Sequence, residues 1–140
     1  MTSNKLKSTL LLGLFLLISS VSYGQVVKLR TTGLAIKYEI DDYRWGEWSE
    51  FEPVSVLVVM DIDADRITIY SKETQVYDVI EAEKKRYDSD GDEYLPFICI
   101  NEDGVKCRVE LATLNSQNRR NQLYVEFGDV MFVYNLYVLD

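Results

Sequence analysis

The stretch LPFICINEDGVKCRVEL, residues 95–111, decides the fold. Leu95, Phe97 and Cys99 alternate with Pro96, Ile98 and Ile100 on one side of a turn. Val105, Cys107, Val109 and Leu111 alternate with Lys106, Arg108 and Glu110 on the other. A period of two is the signature of a half-buried strand. Asn101-Glu102-Asp103-Gly104 suits a type I turn whose glycine takes the left-handed conformation and forms a G1 bulge. That loop pairs Asn101 with Val105. Counting outward, Cys99 faces Cys107, Phe97 faces Val109 and Leu95 faces Leu111. Every inward pair is then apolar, which supports the register independently of the cysteines. A two-residue turn at Asp103-Gly104 would instead put Cys99 opposite Arg108.

The same period runs through the chain on both sides of this hairpin. It is present in Leu34–Ile40, Val54–Ile62, Ile67–Tyr70, Gln75–Ile80, Leu123–Phe127 and Val130–Leu139. Val54–Ile62 is apolar on both faces, which predicts a central, doubly covered strand. Asp63-Ala64-Asp65, Asp88–Asp92 and Gly128-Asp129 are the punctuating turns. Eight or nine short strands in succession predict an all-β antiparallel meander, closed as a small calycin-like barrel or folded as a sandwich. Almost no segment has a helical period, and there is no internal repeat.

Residues 1–24 read as a secretory signal peptide. Lys5 and Lys7 precede the apolar run Leu10–Ile18, and small residues lead to a cut after Gly24. The run is short of the about 20 residues that a membrane span needs. The chain is therefore expected to be exported, periplasmic or secreted, with residues 25–140 as a single domain and no stable membrane insertion after cleavage. Removal of the leader takes away two positive charges and no negative ones. The formal charge of −8 becomes −10, with 13 Lys+Arg against 23 Asp+Glu. Such an acidic chain is a poor phosphate-backbone binder, so no nucleic-acid partner is expected.

The chain contains no histidine. That excludes Ser-His-Asp and Cys-His catalysis, a His-ligated zinc and a histidine proton shuttle. The two cysteines, on one face and directly opposite in an exported chain, predict a Cys99–Cys107 disulfide. The alternatives are two buried thiols, or a redox or metal pair, for which the Cys-x7-Cys spacing is unsuited.

Asp88-Ser89-Asp90-Gly91-Asp92-Glu93 has the alternating oxygens of a calcium loop. An EF-hand needs glycine at its sixth position and glutamate at its twelfth, and here those are Glu93 and Cys99. Asp61, Asp63 and Asp65 share the spacing but have Arg66 where the glycine belongs. The acidic turns are read as turn formers, with Asp88, Asp90 and Asp92 the residues that would hold a metal; no metal or cofactor is expected. A pair of carboxylates could serve a glycosidase, but the sequence singles out no pair.

Tyr43, Trp45, Trp48 and Phe51 crowd aromatic rings between charges and form the candidate contact surface. The competing reading is a flap that plugs one end of a barrel or covers an edge strand. Tyr70, Tyr77, Tyr124, Tyr134 and Tyr137 lie in strands and would line a cavity or form outward ladders.

W-G-E-W at 45–48, I-T-I-Y-S at 67–71, C-I-N-E-D-G-V-K-C at 99–107 and Q-L-Y-V-E-F at 122–127 follow a leader ending Y-G-Q. In this order they resemble small exported proteins of uncharacterised function from Bacteroidota. The resemblance implies an all-β fold and export, and no activity. The expected function is a non-catalytic binding module for an unknown small molecule, glycan or protein. Behind it stand a structural or surface-interaction protein with a filled core, an acid-only hydrolase and an outer-membrane barrel.

Overall fold

The computed structural model describes residues 25–139; the expected signal peptide lies outside them. Eight strands form the wall: β1 (Val26–Asp41), β4 (Leu57–Asp61), β5 (Arg66–Ile69), β6 (Gln75–Ala82), β8 (Glu93–Asn101), β9 (Lys106–Leu114), β10 (Arg120–Glu126) and β11 (Val130–Val138). Each pairs antiparallel with the next, and β11 pairs back onto β1. The sheet is thus a closed up-and-down barrel, not a sandwich. Three two-residue strands decorate it: β2 (Arg44–Trp45) and β3 (Glu52–Pro53) on β1, and β7 (Arg86–Tyr87) on β8.

Closure has a physical reason. Strands with apolar inner residues must bury that face, and joining the first strand to the last removes both open edges. An eight-stranded barrel is just wide enough for its own side chains to fill it. Phe97, Leu29, Ile67, Ile69, Leu123, Val58, Val109 and Val125 are fully buried inside. Tyr77, Phe127, Phe132 and Tyr134 pack in tilted, stacked and edge-on pairs, in that order, at the end that carries the 101–105 turn. There Tyr77 donates to Gln75 Oε1 at 2.6 Å, and Gln75 donates to Tyr134 at 3.3 Å. The interior is a packed core, and these strand tyrosines close one of its ends.

The hairpin has the register read from its sequence. Cys99 pairs with Cys107, Phe97 with Val109 and Leu95 with Leu111. Asn101 N–H donates to Val105 O at 3.0 Å, and Gly104 has φ +78°. The expected disulfide is corrected: Cys99 and Cys107 are buried thiols, not bonded to each other. The Cys99 thiol points to Phe97 O at 3.9 Å. Burial raises the Cys107 thiol to about 11, so it stays protonated. The thiolate is the species that exchanges disulfides, and this core suppresses it.

Two further expectations change. The strand read over Val54–Ile62 is regular only from Leu57 to Asp61, and the outward Leu57 and Val59 are half-buried, so it is not doubly covered. β1 starts far earlier than its sequence pattern, at Val26, because a bulge at Thr32 shifts its register against β11. The bulge reverses which residues face inward, so a single alternation does not run through the strand. Before it, Val27, Leu29 and Thr31 are buried; after it, Leu34 packs against the core.

Candidate functional site

The bulge also frees one edge of β1. Its first half, Val26–Arg30, pairs with β4. Beyond Thr31 that edge is taken by residues 44–53, which turn back along β1 as a strap. Gly46 N–H donates to Tyr38 O at 2.8 Å and Ser49 N–H to Ile36 O at 2.8 Å. The Ser49 hydroxyl accepts from Ile36 N–H at 2.9 Å. Thr31 pins the point where the strap rejoins the wall. Its hydroxyl donates to Val54 O at 2.7 Å and accepts from Val56 N–H at 2.8 Å.

The strap carries the aromatic residues singled out in the sequence, and it separates them. Tyr43 stands fully exposed at the β1–β2 turn with φ +68°. Trp45 lies under Lys37 Nζ, 5.6 Å from the ring centre. Trp48 also receives Lys37 Nζ at 4.6 Å and meets Tyr124 of β10 edge-on at 6.2 Å. Phe51 lies against Gly33 of β1. Of the competing reading, a flap that plugs the barrel end or covers an edge strand, the second half describes this segment: it pairs along the open edge of β1. The strap does not plug the barrel end; it lies along β1 and reaches across the outer wall.

Opposite the strap, the acidic turn after β7 closes the other side. Asp88 Oδ1 accepts from the amides of Asp90 and Asp92, each at 3.0 Å, and Oδ2 accepts from the Tyr94 hydroxyl at 3.1 Å. Asp92 is buried, and its carboxylate accepts from the amide and hydroxyl of Ser116 at 2.9 Å. This ties the turn to the short 3-10 segment Asn115–Gln117. Desolvation pushes the Asp88 carboxyl upward. The amides of Asp92 and Asp90, the Tyr94 hydroxyl and the Arg86 charge outweigh it and hold the group below its ordinary value. Tyr94 is pushed up to about 12, first by burial and then by Asp88. Tyr124 is also raised, by burial and then by Glu110 and Asp92.

Between strap and turn lies a cleft of about 370 Å³ on the outside of the barrel. Trp48 and Phe51 form one side, Asp88, Asp90 and Asp92 the other, and Tyr94, Gln122 and Tyr124 belong to its floor. The Tyr124 hydroxyl donates to Gln122 Oε1 at 2.7 Å, and Gln122 Nε2 donates to Asn135 Oδ1 at 2.9 Å. The size falls in the range of small-molecule sites. Two separate sequence candidates, the Trp48–Phe51 pair and the three aspartates, therefore meet in one place. Tyr43 and Trp45 do not join them.

Sequence reading missed Tyr94, Gln117, Gln122, Leu114 and Val133 as members of the cleft. One signal was present. At outward strand positions Ala35, Ala112 and Val133 are small or apolar where solvent would favour charge, and all three are buried. The three aspartates bring their ligand-type oxygens within 4.8 Å of one another. Asp88 and Asp92 already serve as acceptors for protein donors, so the cluster is explained as a structured turn. Asp88 is also displaced in the wrong direction for a general acid, which needs a raised value.

Compared with protein-family models, with curated proteins and with solved structures, the chain finds no match.

Proposed function

We propose that the protein is an exported, non-catalytic binding module that takes a small organic ligand on the outer wall of its barrel, in the cleft between Trp48 and Asp90. The single observation that carries this reading is the cleft itself. Its 370 Å³ combine aromatic rings with side-chain amides and carboxylates, the mixture that fixes and orients small ligands. The interior is lined by a continuous cluster of buried apolar side chains, which offers a polar ligand few partners. Export rests on the leader-like composition of residues 1–24 and on the resemblance to exported proteins.

The polarity of the barrel supports a life in water. Its inside is apolar, while Lys28, Asp78 and Lys106 are exposed on its outer faces. A lipid-facing barrel has the reverse arrangement. Among the described residues, no helix is long and apolar enough to cross a membrane.

The test is saturation-transfer NMR with a panel of monosaccharides, amino acids and aromatic amines. At least one compound is expected to receive saturation from the protein and to lose it in Tyr124→Ala. A panel in which every signal survives Tyr124→Ala and Trp48→Ala would contradict the reading.

A further inference from the structure

The cleft is lopsided in charge. Three aspartates line it and no lysine or arginine does. The cations around it are committed elsewhere. Arg86 pairs with Glu110 at 2.7 Å and lies over the Tyr94 ring at 4.2 Å. Arg119 donates to Asn115 Oδ1 at 3.0 Å, and Lys37 lies over Trp48. Asp88 and Asp92 have their own donors, but the Asp90 carboxylate has no hydrogen bond or ion pair among the described residues.

Across from Asp90 the wall is aromatic. The face of an aromatic ring is electron-rich and attracts cations, and the strongest such contacts are to tryptophan. Lys37 on Trp48 and Arg86 on Tyr94 show these rings already working that way at the edge of the cleft. An anion entering here would lose water beside like charges. A neutral ligand would use the rings and gain nothing from the exposed Asp90 carboxylate, whereas a cation gains its attraction as well. The carboxylates alone would be an ordinary acidic turn; it is their position across a cleft from aromatic rings that selects a ligand.

Resting on the binding reading above, we propose that the ligand of this cleft is a small organic cation: an ammonium facing Asp90, carried on an apolar or sugar-like body that packs on Trp48 and Tyr124.

Trp45→Phe leaves Trp48 as the sole tryptophan, so its fluorescence reports the cleft. The full chain is titrated with two matched pairs, glucosamine against glucose and phenethylamine against phenethyl alcohol. Each pair differs by an ammonium in place of a hydroxyl. The amine is expected to bind at least about tenfold more tightly, which is about 1.4 kcal/mol. Asp90→Asn is expected to cut that preference several-fold, and added salt to weaken it. Equal affinity within both pairs, or a preference untouched by Asp90→Asn and salt, would overturn the cationic ligand while the cleft still stands as a binding site. If neither pair binds and only uncharged panel compounds bind in a Tyr124-dependent way, the charge assignment again falls alone. Silence from every compound would remove both.

Discussion

Replacing Thr31 by valine keeps the shape of the side chain and removes its hydroxyl. Thr31 is 1% exposed. Its hydroxyl joins β1 to the end of the strap through two hydrogen bonds, to Val54 O at 2.7 Å and from Val56 N–H at 2.8 Å. Valine supplies neither partner. The backbone groups of Val54 and Val56 lose these partners in a partly buried setting, where an unsatisfied group costs about 1–3 kcal/mol. The added methyl returns part of this. The expected net loss is about 2–3 kcal/mol, or about 10 °C in Tm for a barrel of this size. Urea unfolding followed by far-UV circular dichroism measures it, with the midpoint falling and the slope unchanged. Thr31→Ser retains the hydroxyl and sheds one methyl, so it should lose about 1 kcal/mol or less. A valine variant as stable as the parent, or a serine variant weaker than the valine one, would refute the assignment of the hydroxyl as the pin.

Other outcomes follow from the same structure. Phe97→Ala empties the centre of a filled barrel and should cost about 3–5 kcal/mol in urea unfolding. Alkylation with iodoacetamide, without reductant, should leave both cysteines unmodified in the native protein and add two groups in denaturant, read by intact mass; no addition in denaturant would mean that they are bridged. The folded Tyr94 hydroxyl is raised to about 12, so its neutral form contributes stability that is complete below the ordinary tyrosine value of about 10 and is lost as pH rises through about 12. Tyr94→Phe should flatten the alkaline limb of a Tm–pH curve. Asp88 is depressed, so its charged form contributes above the ordinary carboxylate range and is lost as pH falls below it; Asp88→Asn should flatten the acid limb.

The barrel was legible because its information is local. In residues 95–111 the alternation, the turn and the glycine all point to one register, and β9 against β8 is that register. The choice of barrel over sandwich was not local. It depends on β1 meeting β11 across about a hundred residues, and no periodicity encodes which edges join. The strap illustrates the same limit. Trp48 and Tyr124 are adjacent only because a bulge at Thr32 opens one edge of β1. Asp92 reads as a turn former until Ser116, far along the chain, is found donating to it. The cysteines show how a correct register can still mislead. Facing position was right, yet register only lets two thiols meet, and here they stand as two small buried side chains. Outward-facing Ala35, Ala112 and Val133 were a legible trace of a covered outer wall, and of the three Val133 lines the cleft.

The central claim is that ligand is held outside the barrel, beneath the strap, and not within it. Amide and indole NMR spectra of the labelled protein, recorded with and without phenethylamine, test this most directly. The account predicts shifts at the Trp48 indole, at Asp90 and at the β10 amides around Tyr124, with Phe97 and Val109 inside the barrel unchanged. Shifts centred on Phe97 and Val109, with Trp48 and Tyr124 still, would contradict it.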